Sequence, residues 1–156
     1  MTTIAYNHKD KHISVDSRCC CGTKILSDES DKSITINGVM YFYTASGDDG
    51  IELAKLIDSG KTDQEELNAT VMFIKNKKAF MGTYSKGFID TWALEYNDSI
   101  GSGCDFALAA MDFGKSSMSA VEYAITRDNA TGGKVRTFDI NGDEIVRKIK
   151  QNKAKE

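Results

Sequence analysis

Two stretches of the chain, residues 39–43 (VMYFY) and 71–74 (VMFI), are apolar at every position. Successive side chains of a β-strand point to opposite faces of the sheet, so strands of this kind must be covered on both sides. Asn37-Gly38 lies directly before the first stretch and is typical of a tight hairpin turn. The pattern predicts a sheet with a second sheet packed on one face and helices packed on the other.

The rest of the chain predicts further hairpins and three helices. Helices are predicted over residues 48–60, 101–114 and 119–128, with one or two more turns over 61–67. Further strands are predicted at residues 2–6 and 12–17, 69–74 and 79–84, 89–96, and 134–140 and 144–149. The predicted fold is α+β, a single domain over residues 1–156. It is a four-layer αββα sandwich of two stacked antiparallel sheets flanked by helices.

The sequence also predicts the buried face of the second helix and the first residue of the third. In the second helix, apolar residues at i, i+3, i+4 and i+7 predict the buried face, which comprises Phe106, Ala109, Ala110 and Phe113. In the third helix, Ser119 and Glu122 fit the spacing of a capping box, which predicts a helix start at Ser119.

Composition narrows the class of function. The net charge is −3 and no basic stripe is interleaved with aromatic residues, so we expect no nucleic-acid partner. The longest apolar run is far shorter than a bilayer crossing, so we expect no membrane association and a cytoplasmic location. Cys19, Cys20 and Cys21 are consecutive and lack the spacing of a zinc site. They are predicted to be strand residues in a reducing compartment, with no metal and no cofactor.

Five short motifs, taken in order, resemble the β-subunits of proteasomes and the HslV peptidase. In one of them, Thr131 stands where the family usually has serine. The motifs are TTIAY at residues 2–6, VDSR at 15–18, Lys32 sixteen residues after Asp16, GSGCDFALAAMD at 101–112 and RDNATGG at 127–133.

This resemblance implies an N-terminal nucleophile (Ntn) hydrolase fold and a threonine peptidase. Removal of Met1 would leave Thr2 with a hydroxyl and a free α-amine, and an amine that titrates at about 8 can accept the hydroxyl proton. The resemblance implies that Lys32 brings positive charge beside this pair and that Asp16 holds Lys32. The supporting residues that it implies around the amine are Ser102, Asp128 and Thr131.

The same resemblance implies an oxyanion hole and a substrate cleft. Counting from Lys32 places Ser46 where the family has its oxyanion-hole glycine, and Gly47 follows it. Because two carboxylates are among the implied cleft residues, we expect a preference for a basic residue before the scissile bond. The implied substrate-binding residues are Cys19, Cys20, Thr44, Asp48 and Glu52.

Other functions fit the same sequence. A catalytically inactive relative would keep the fold as a scaffold or assembly subunit, which is favoured by Ser46, by a short segment after residue 60 and by a retained Met1. An Ntn amidohydrolase that acts on a small amide would also share the fold. The resemblance further implies a peptide or unfolded-protein substrate, a homo-oligomer in the form of a ring, and an ATP-dependent unfoldase as partner.

Overall fold

The computed structural model describes residues 1–62 and 66–147. The helices are α1 (Asp49–Ser59), α2 (Cys104–Asp112) and α3 (Ser117–Ile125). The strands are β1 (Thr3–Asn7), β2 (His12–Val15), β3 (Cys19–Cys21), β4 (Lys24–Ser27), β5 (Ser33–Ile36), β6 (Val39–Ala45), β7 (Ala69–Lys75), β8 (Lys78–Ser85), β9 (Phe88–Ala93), β10 (Asp98–Gly101), β11 (Arg136–Phe138) and β12 (Glu144–Ile145).

This order confirms the predicted succession of hairpins and helices. The further helical turns predicted after α1 fall partly on residues 63–65, which lie outside the described residues, and the neighbouring positions 61–62 and 66–67 are not helical. Residues 148–156, which include the last two positions of the strand predicted at 144–149, also lie outside the described residues. Within the described parts of the chain, each helix falls short of the length and apolarity that a bilayer crossing requires.

Two five-stranded antiparallel sheets form the centre of the molecule. The first has the strand order β10-β1-β2-β11-β12, and its second strand, β1, pairs Ile4 with Ile100 on one side and with Val15 on the other. The second sheet has the order β5-β6-β7-β8-β9, a meander of neighbouring strands. Strands β3 and β4 form a separate two-stranded sheet.

The two large sheets stack face to face around an apolar core. Alternation along β1 directs Ile4 and Tyr6 into this core, where they join Phe42 of β6. The rings of Phe42 and Phe138 lie 5.1 Å apart and connect the two sheets. The apolar stretch in β6 is therefore covered by the first sheet, as the sequence predicts.

Helices cover the two outer faces of the sheets. On the first sheet, Ala5 packs in one cluster with Ala107 of α2 and Ala120 of α3. On the second sheet, Tyr41 packs in another cluster with Leu53 of α1. The layers are thus α2 with α3, the first sheet, the second sheet and α1, which confirms the predicted αββα sandwich.

The predicted buried face of α2 is wrong. Ala107 and Met111 are the buried residues of this helix, whereas Phe106 is 38% exposed and Phe113 is 89% exposed. The helix carries two apolar stripes at helical spacing, and the stripe with the smaller Ala107 packs against Ala5 of β1. Sequence spacing alone does not distinguish two such stripes.

The predicted capping box of α3 is also wrong. The N-cap is Ser116, whose Oγ accepts a hydrogen bond from the Ser119 N–H at 3.2 Å, and Glu122 forms an ion pair with Arg147 at 3.0 Å. Several serines here have similar capping ability. The earlier start lets Ser117 bury its hydroxyl against Ser14 of β2 at 2.8 Å, which fixes the helix against the sheet.

Replacing Phe42 with alanine is expected to lower the free energy of unfolding by about 3–5 kcal/mol, because it leaves a cavity between the two sheets. The same replacement at exposed Phe113 is the matched control and should change it by no more than about 0.5 kcal/mol. Urea denaturation followed by circular dichroism measures both values. Equal losses in the two variants would contradict the assignment of the core.

Candidate active site

The carboxylate of Asp16 is the most heavily bonded group in this part of the molecule. It lies just after β2 and is 1% exposed. Oδ1 accepts hydrogen bonds from the Thr3 N–H at 2.9 Å and from Lys32 Nζ at 2.8 Å. Oδ2 accepts from the Gly132 N–H at 3.0 Å and from the Arg18 N–H at 3.3 Å. One buried carboxylate therefore joins the N-terminal strand, the β2 end, Lys32 and the segment after α3.

Lys32 lies directly before β5, and its side chain is only 8% exposed. Burial lowers the pKa of Lys32, while the neighbouring Asp16 carboxylate acts in the opposite direction. Nζ also donates a hydrogen bond to the Met1 carbonyl oxygen at 3.2 Å. Because the Met1 carbonyl carbon is bonded to the nitrogen of Thr2, Lys32 lies within one peptide unit of the predicted nucleophile.

Thr2 is held at the end of β1 by the segment that leads into α2. Its carbonyl accepts a hydrogen bond from the Ser102 N–H at 2.8 Å, and Thr2 is 5% exposed. Gly101 has φ +97°, and a Cβ there would lie 1.7 Å from the Thr2 carbonyl oxygen. Only glycine permits this close approach, so Gly101 positions the N-terminal strand against the start of α2.

A chain of short hydrogen bonds runs from Thr3 to Asp128. The Thr3 hydroxyl accepts from the Gly103 N–H at 3.0 Å and lies 2.6 Å from the Thr131 hydroxyl. Thr131 and Ser102 each donate to Oδ2 of Asp128 at 2.6 Å. Three predicted site residues, Ser102, Asp128 and Thr131, are therefore brought together by the structure.

The ionisation of Asp128 reflects these contacts. Partial burial acts to raise the pKa of Asp128, but hydrogen bonds from Ser102, Thr131 and the Ala130 N–H outweigh it and lower the pKa. The positive amino terminus of the chain contributes in the same direction, so it lies close enough to interact with this carboxylate. Asp128 is thus a stable anion beside the start of the chain.

A cavity of about 440 Å³ adjoins this cluster and is lined by Thr2 and Lys32. Cys19 and Cys20 line the same cavity, as do Arg18, Asp31 and Tyr43. A neighbouring cavity of about 290 Å³ shares Thr2 and includes Thr44 and Ser102. Of the predicted substrate-binding residues, Cys19, Cys20 and Thr44 therefore lie beside Thr2.

The two predicted acidic residues of the cleft lie at the start of α1. Asp48 is the N-cap of this helix, and together with Asp31 it adds to the burial effect that raises the pKa of Tyr43. Glu52 forms an ion pair with Lys55 at 2.8 Å, and both side chains are more than half exposed. Neither acid is among the described lining residues of the two cavities. Asp48 therefore lies close enough to interact with Tyr43 of the cavity lining, and Glu52 forms its ion pair at the exposed surface of α1.

The two predicted oxyanion-hole residues differ in their backbone contacts. Ser46 and Gly47 both line the cavity beside Thr2. The Ser46 N–H donates to the Asn68 carbonyl at 3.2 Å, so this donor is already used. Gly47 has φ +57°, a left-handed conformation that suits glycine.

Sequence reasoning missed a second ion pair that supports the site. Arg18 donates to Asp28 with Nε at 2.7 Å and Nη2 at 3.0 Å, in a two-point contact. A Cβ at Gly132 would lie 2.3 Å from the Arg18 guanidinium carbon, so the glycine makes room for this side chain. VDSR and ATGG are both visible in the sequence, but their mutual contact is not.

Comparisons with known proteins bear on the fold. No protein-family model and no curated protein sequence matches the chain. Eukaryotic HslV from Trypanosoma brucei matches in structure over 88% of this chain and 99% of that one, with a TM-score of 0.69 and 18% identity. Thiobacillus denitrificans BPH in complex with epoxomicin matches over 88% and 97%, with a TM-score of 0.68 and 17% identity. Another structure of BPH matches over 88% of this chain and 96% of that one, with a TM-score of 0.65 and 18% identity.

These likenesses define the class of fold. The matches span nearly the whole length of the HslV and BPH chains. The chain therefore has the HslV and proteasome type of αββα fold, which confirms the resemblance seen in the sequence. At this level of identity, the match concerns the fold alone.

Replacing Asp16 with asparagine is expected to lower the free energy of unfolding by about 3–5 kcal/mol, because buried Lys32 loses its partner. Glu52→Gln, which breaks the exposed pair with Lys55, is the control and should cost less than about 1 kcal/mol. Chemical denaturation at neutral pH measures both. A small effect at Asp16 would show that this carboxylate does not organise the site.

Proposed function

We propose that this protein is a threonine peptidase of the HslV and proteasome β type, with Thr2 as its nucleophile after removal of Met1. The observation that supports this best is the buried Asp16–Lys32 pair at 2.8 Å, whose ammonium contacts the Met1 carbonyl. A lysine ammonium beside the start of the chain would favour the neutral, basic form of a free N-terminal amine, which activates a threonine hydroxyl.

Removal of Met1 would change the chemistry of Thr2. As long as Met1 is attached, the nitrogen of Thr2 is an amide and cannot act as a base. Once it is free, the amine can accept the hydroxyl proton directly or through one water molecule. The oxygen then attacks the substrate carbonyl and forms an acyl ester on Thr2 as the peptide amine leaves. Water hydrolyses this ester and restores the hydroxyl.

Two charged groups would tune this step. The Lys32 ammonium lowers the pKa of a neighbouring amine and stabilises negative charge that develops on the Thr2 oxygen. The Asp128 carboxylate lies near the amino terminus of the chain, with Ser102 and Thr131 fixing its orientation. In the proposed enzyme, Ser102, Asp128 and Thr131 thus position the amine and the water molecule.

The oxyanion would be bound by a backbone N–H at Gly47. The N–H of Ser46 already donates within the protein, so Gly47 is the better donor of the two positions. Gly47 lines the cavity beside Thr2, and a Cβ added at this position would meet open space. A preorganised N–H of this kind is typically worth about 10²–10³ in turnover.

The broader role follows from the same proposal. The substrate is a peptide or an unfolded protein, which lies in the cavities lined by Cys19, Cys20 and Thr44. By likeness to HslV, the protein forms a homo-oligomer in the cytoplasm and receives substrate from an ATP-dependent unfoldase. The second candidate is an inactive scaffold, which is favoured by Ser46 at the position of the oxyanion-hole glycine, where its N–H already donates to the Asn68 carbonyl.

Intact mass measurement is expected to show a chain that begins at Thr2 and gains one epoxomicin on that residue, since BPH has been observed in complex with this compound. Thr2→Ala should lose the adduct and reduce peptide hydrolysis by at least about 1,000-fold. Thr62→Ala, at an exposed position outside the two cavities, is the matched control and should keep both. A chain that retains Met1 and forms no adduct would instead identify the scaffold.

Peptides with arginine before the scissile bond are expected to give a higher kcat/KM than peptides with leucine. Asp31, Arg18 and Lys32 of the cavity lining are already paired with Arg136, Asp28 and Asp16. Asp48 has no ion pair among the described residues, and its negative charge near Tyr43 favours a basic side chain in the cavity. Asp48→Asn should reduce this preference by about tenfold or less, because one partly screened charge is removed. Asp10→Asn, in the distant β1–β2 turn, should leave it unchanged. Better cleavage after leucine in the unaltered protein would contradict the prediction.

A further inference from the structure

Three consecutive thiols lie at the edge of the candidate active site. Cys19, Cys20 and Cys21 form β3, and all are free thiols. Cys19 and Cys20 are half-buried and line the cavity of about 440 Å³ together with Thr2 and Lys32. Cys21 is exposed and pairs with Lys24 near the turn of the β3–β4 hairpin. Two of the three cysteines therefore line the space that the substrate would occupy.

The surroundings of these two thiols are polar and contain cations. Negative charge on Cys19 or Cys20 acts to raise the pKa of Lys32, and negative charge on Cys20 acts in the same way on Arg18. Both cations are therefore close enough to interact with the sulfur atoms. Reactive cysteines are typically found in partly exposed places of this kind, because the nucleophile is the thiolate.

The hairpin that carries the thiols is separate from the two large sheets. Strands β3 and β4 pair only with each other among the described strands, and a register shift between Cys19 and Cys20 interrupts even this short ladder. A group attached to either sulfur would therefore not break a strand pairing of the central sandwich. The fold can therefore accept a modification at this hairpin, next to the cavity that Cys19 and Cys20 line.

We propose that Cys19 and Cys20 form a thiol-exchange site at which a small disulfide of the glutathione type closes the substrate cavity. A thiolate attacks one sulfur of the small disulfide, a bond forms between the two sulfurs, and the other half leaves as a thiolate that takes up the cysteine proton. An excess of free thiol reverses the exchange. The effect on peptide cleavage rests on the proposed function, whereas the adduct itself does not.

The first experiment treats the folded protein with oxidised glutathione and maps the adducts by mass spectrometry. We expect glutathione on Cys19 or Cys20 and its release by dithiothreitol. This readout needs no catalytic activity, and unlabelled Cys19 and Cys20 in a protein that is labelled at exposed Cys21 would overturn the proposal.

The second experiment compares each protein with its own untreated sample in peptide hydrolysis. The activity of the unaltered protein and of Cys21→Ser should fall in proportion to the fraction labelled at Cys19 and Cys20, and should return with dithiothreitol. The double variant Cys19→Ser/Cys20→Ser should keep its own untreated activity although Cys21 is still labelled. Equal inhibition of the double variant would overturn the proposal.

A binding measurement separates a failure of this proposal from a failure of the peptidase. A fluorescent peptide whose scissile amide is reduced is titrated onto untreated and glutathione-treated Thr2→Ala protein, and fluorescence anisotropy gives both affinities. Weaker binding to the treated protein supports closure of the cavity, and equal binding contradicts it. If the peptide binds neither form, the proposed peptidase function has failed and the adduct map alone decides on the thiol site.

Discussion

The buried carboxylate of Asp16 is the group on which the rest of the site depends. A charge that is 1% exposed is costly unless it is fully hydrogen-bonded, and here four donors converge on it, of which Thr3, Lys32 and Gly132 are distant in the chain. Its attraction to Lys32 opposes the burial that lowers the lysine pKa. The same contacts fix strand β1, which begins directly after Thr2, relative to the segment after α3.

The stacked sheets explain why these donors can meet. Thr3 and Asp16 lie at adjacent strand ends of the first sheet, whereas Lys32 enters from the second sheet immediately before β5. The Tyr43 N–H donates to the Lys32 carbonyl at 3.1 Å, so the second sheet holds the backbone of this lysine. The site thus lies where one end of the sandwich opens, and the apolar core between the sheets sets the distance across it.

Most of the architecture was predictable because it depends on local patterns. Consecutive apolar residues in β6 require cover on both faces, and Asn-Gly pairs fix two of the hairpins. The errors have a common physical origin. The alanines of α2 allowed two apolar faces, and the serines before α3 allowed several caps, so packing against Ala5 and Ser14 made the choice.

For the site, the sequence predicted the residues better than their contacts. The resemblance in sequence named Thr2, Asp16, Lys32, Ser102, Asp128 and Thr131, and the structure places all six at one end of the sandwich. It did not indicate that Glu52 pairs with Lys55, because a side-chain direction on a helix depends on neighbours that spacing does not reveal. Nor did it indicate that the Ser46 N–H is used by Asn68, which is a contact between strand ends far apart in sequence.

The alternation of hairpins and helices, the need for two stacked sheets and the types of chemical group available follow from the sequence alone. Those properties follow from the periodicity of side chains and from turn residues, which act over a few positions. The tertiary structure shows which groups touch. Asp16 contacts Lys32, and Cys19 and Cys20 line the cavity of Thr2, which only the family resemblance had implied; Thr3 contacts Thr131, which nothing in the sequence indicated. Contacts across 16 or 128 positions depend on how whole layers pack, and no local pattern encodes that.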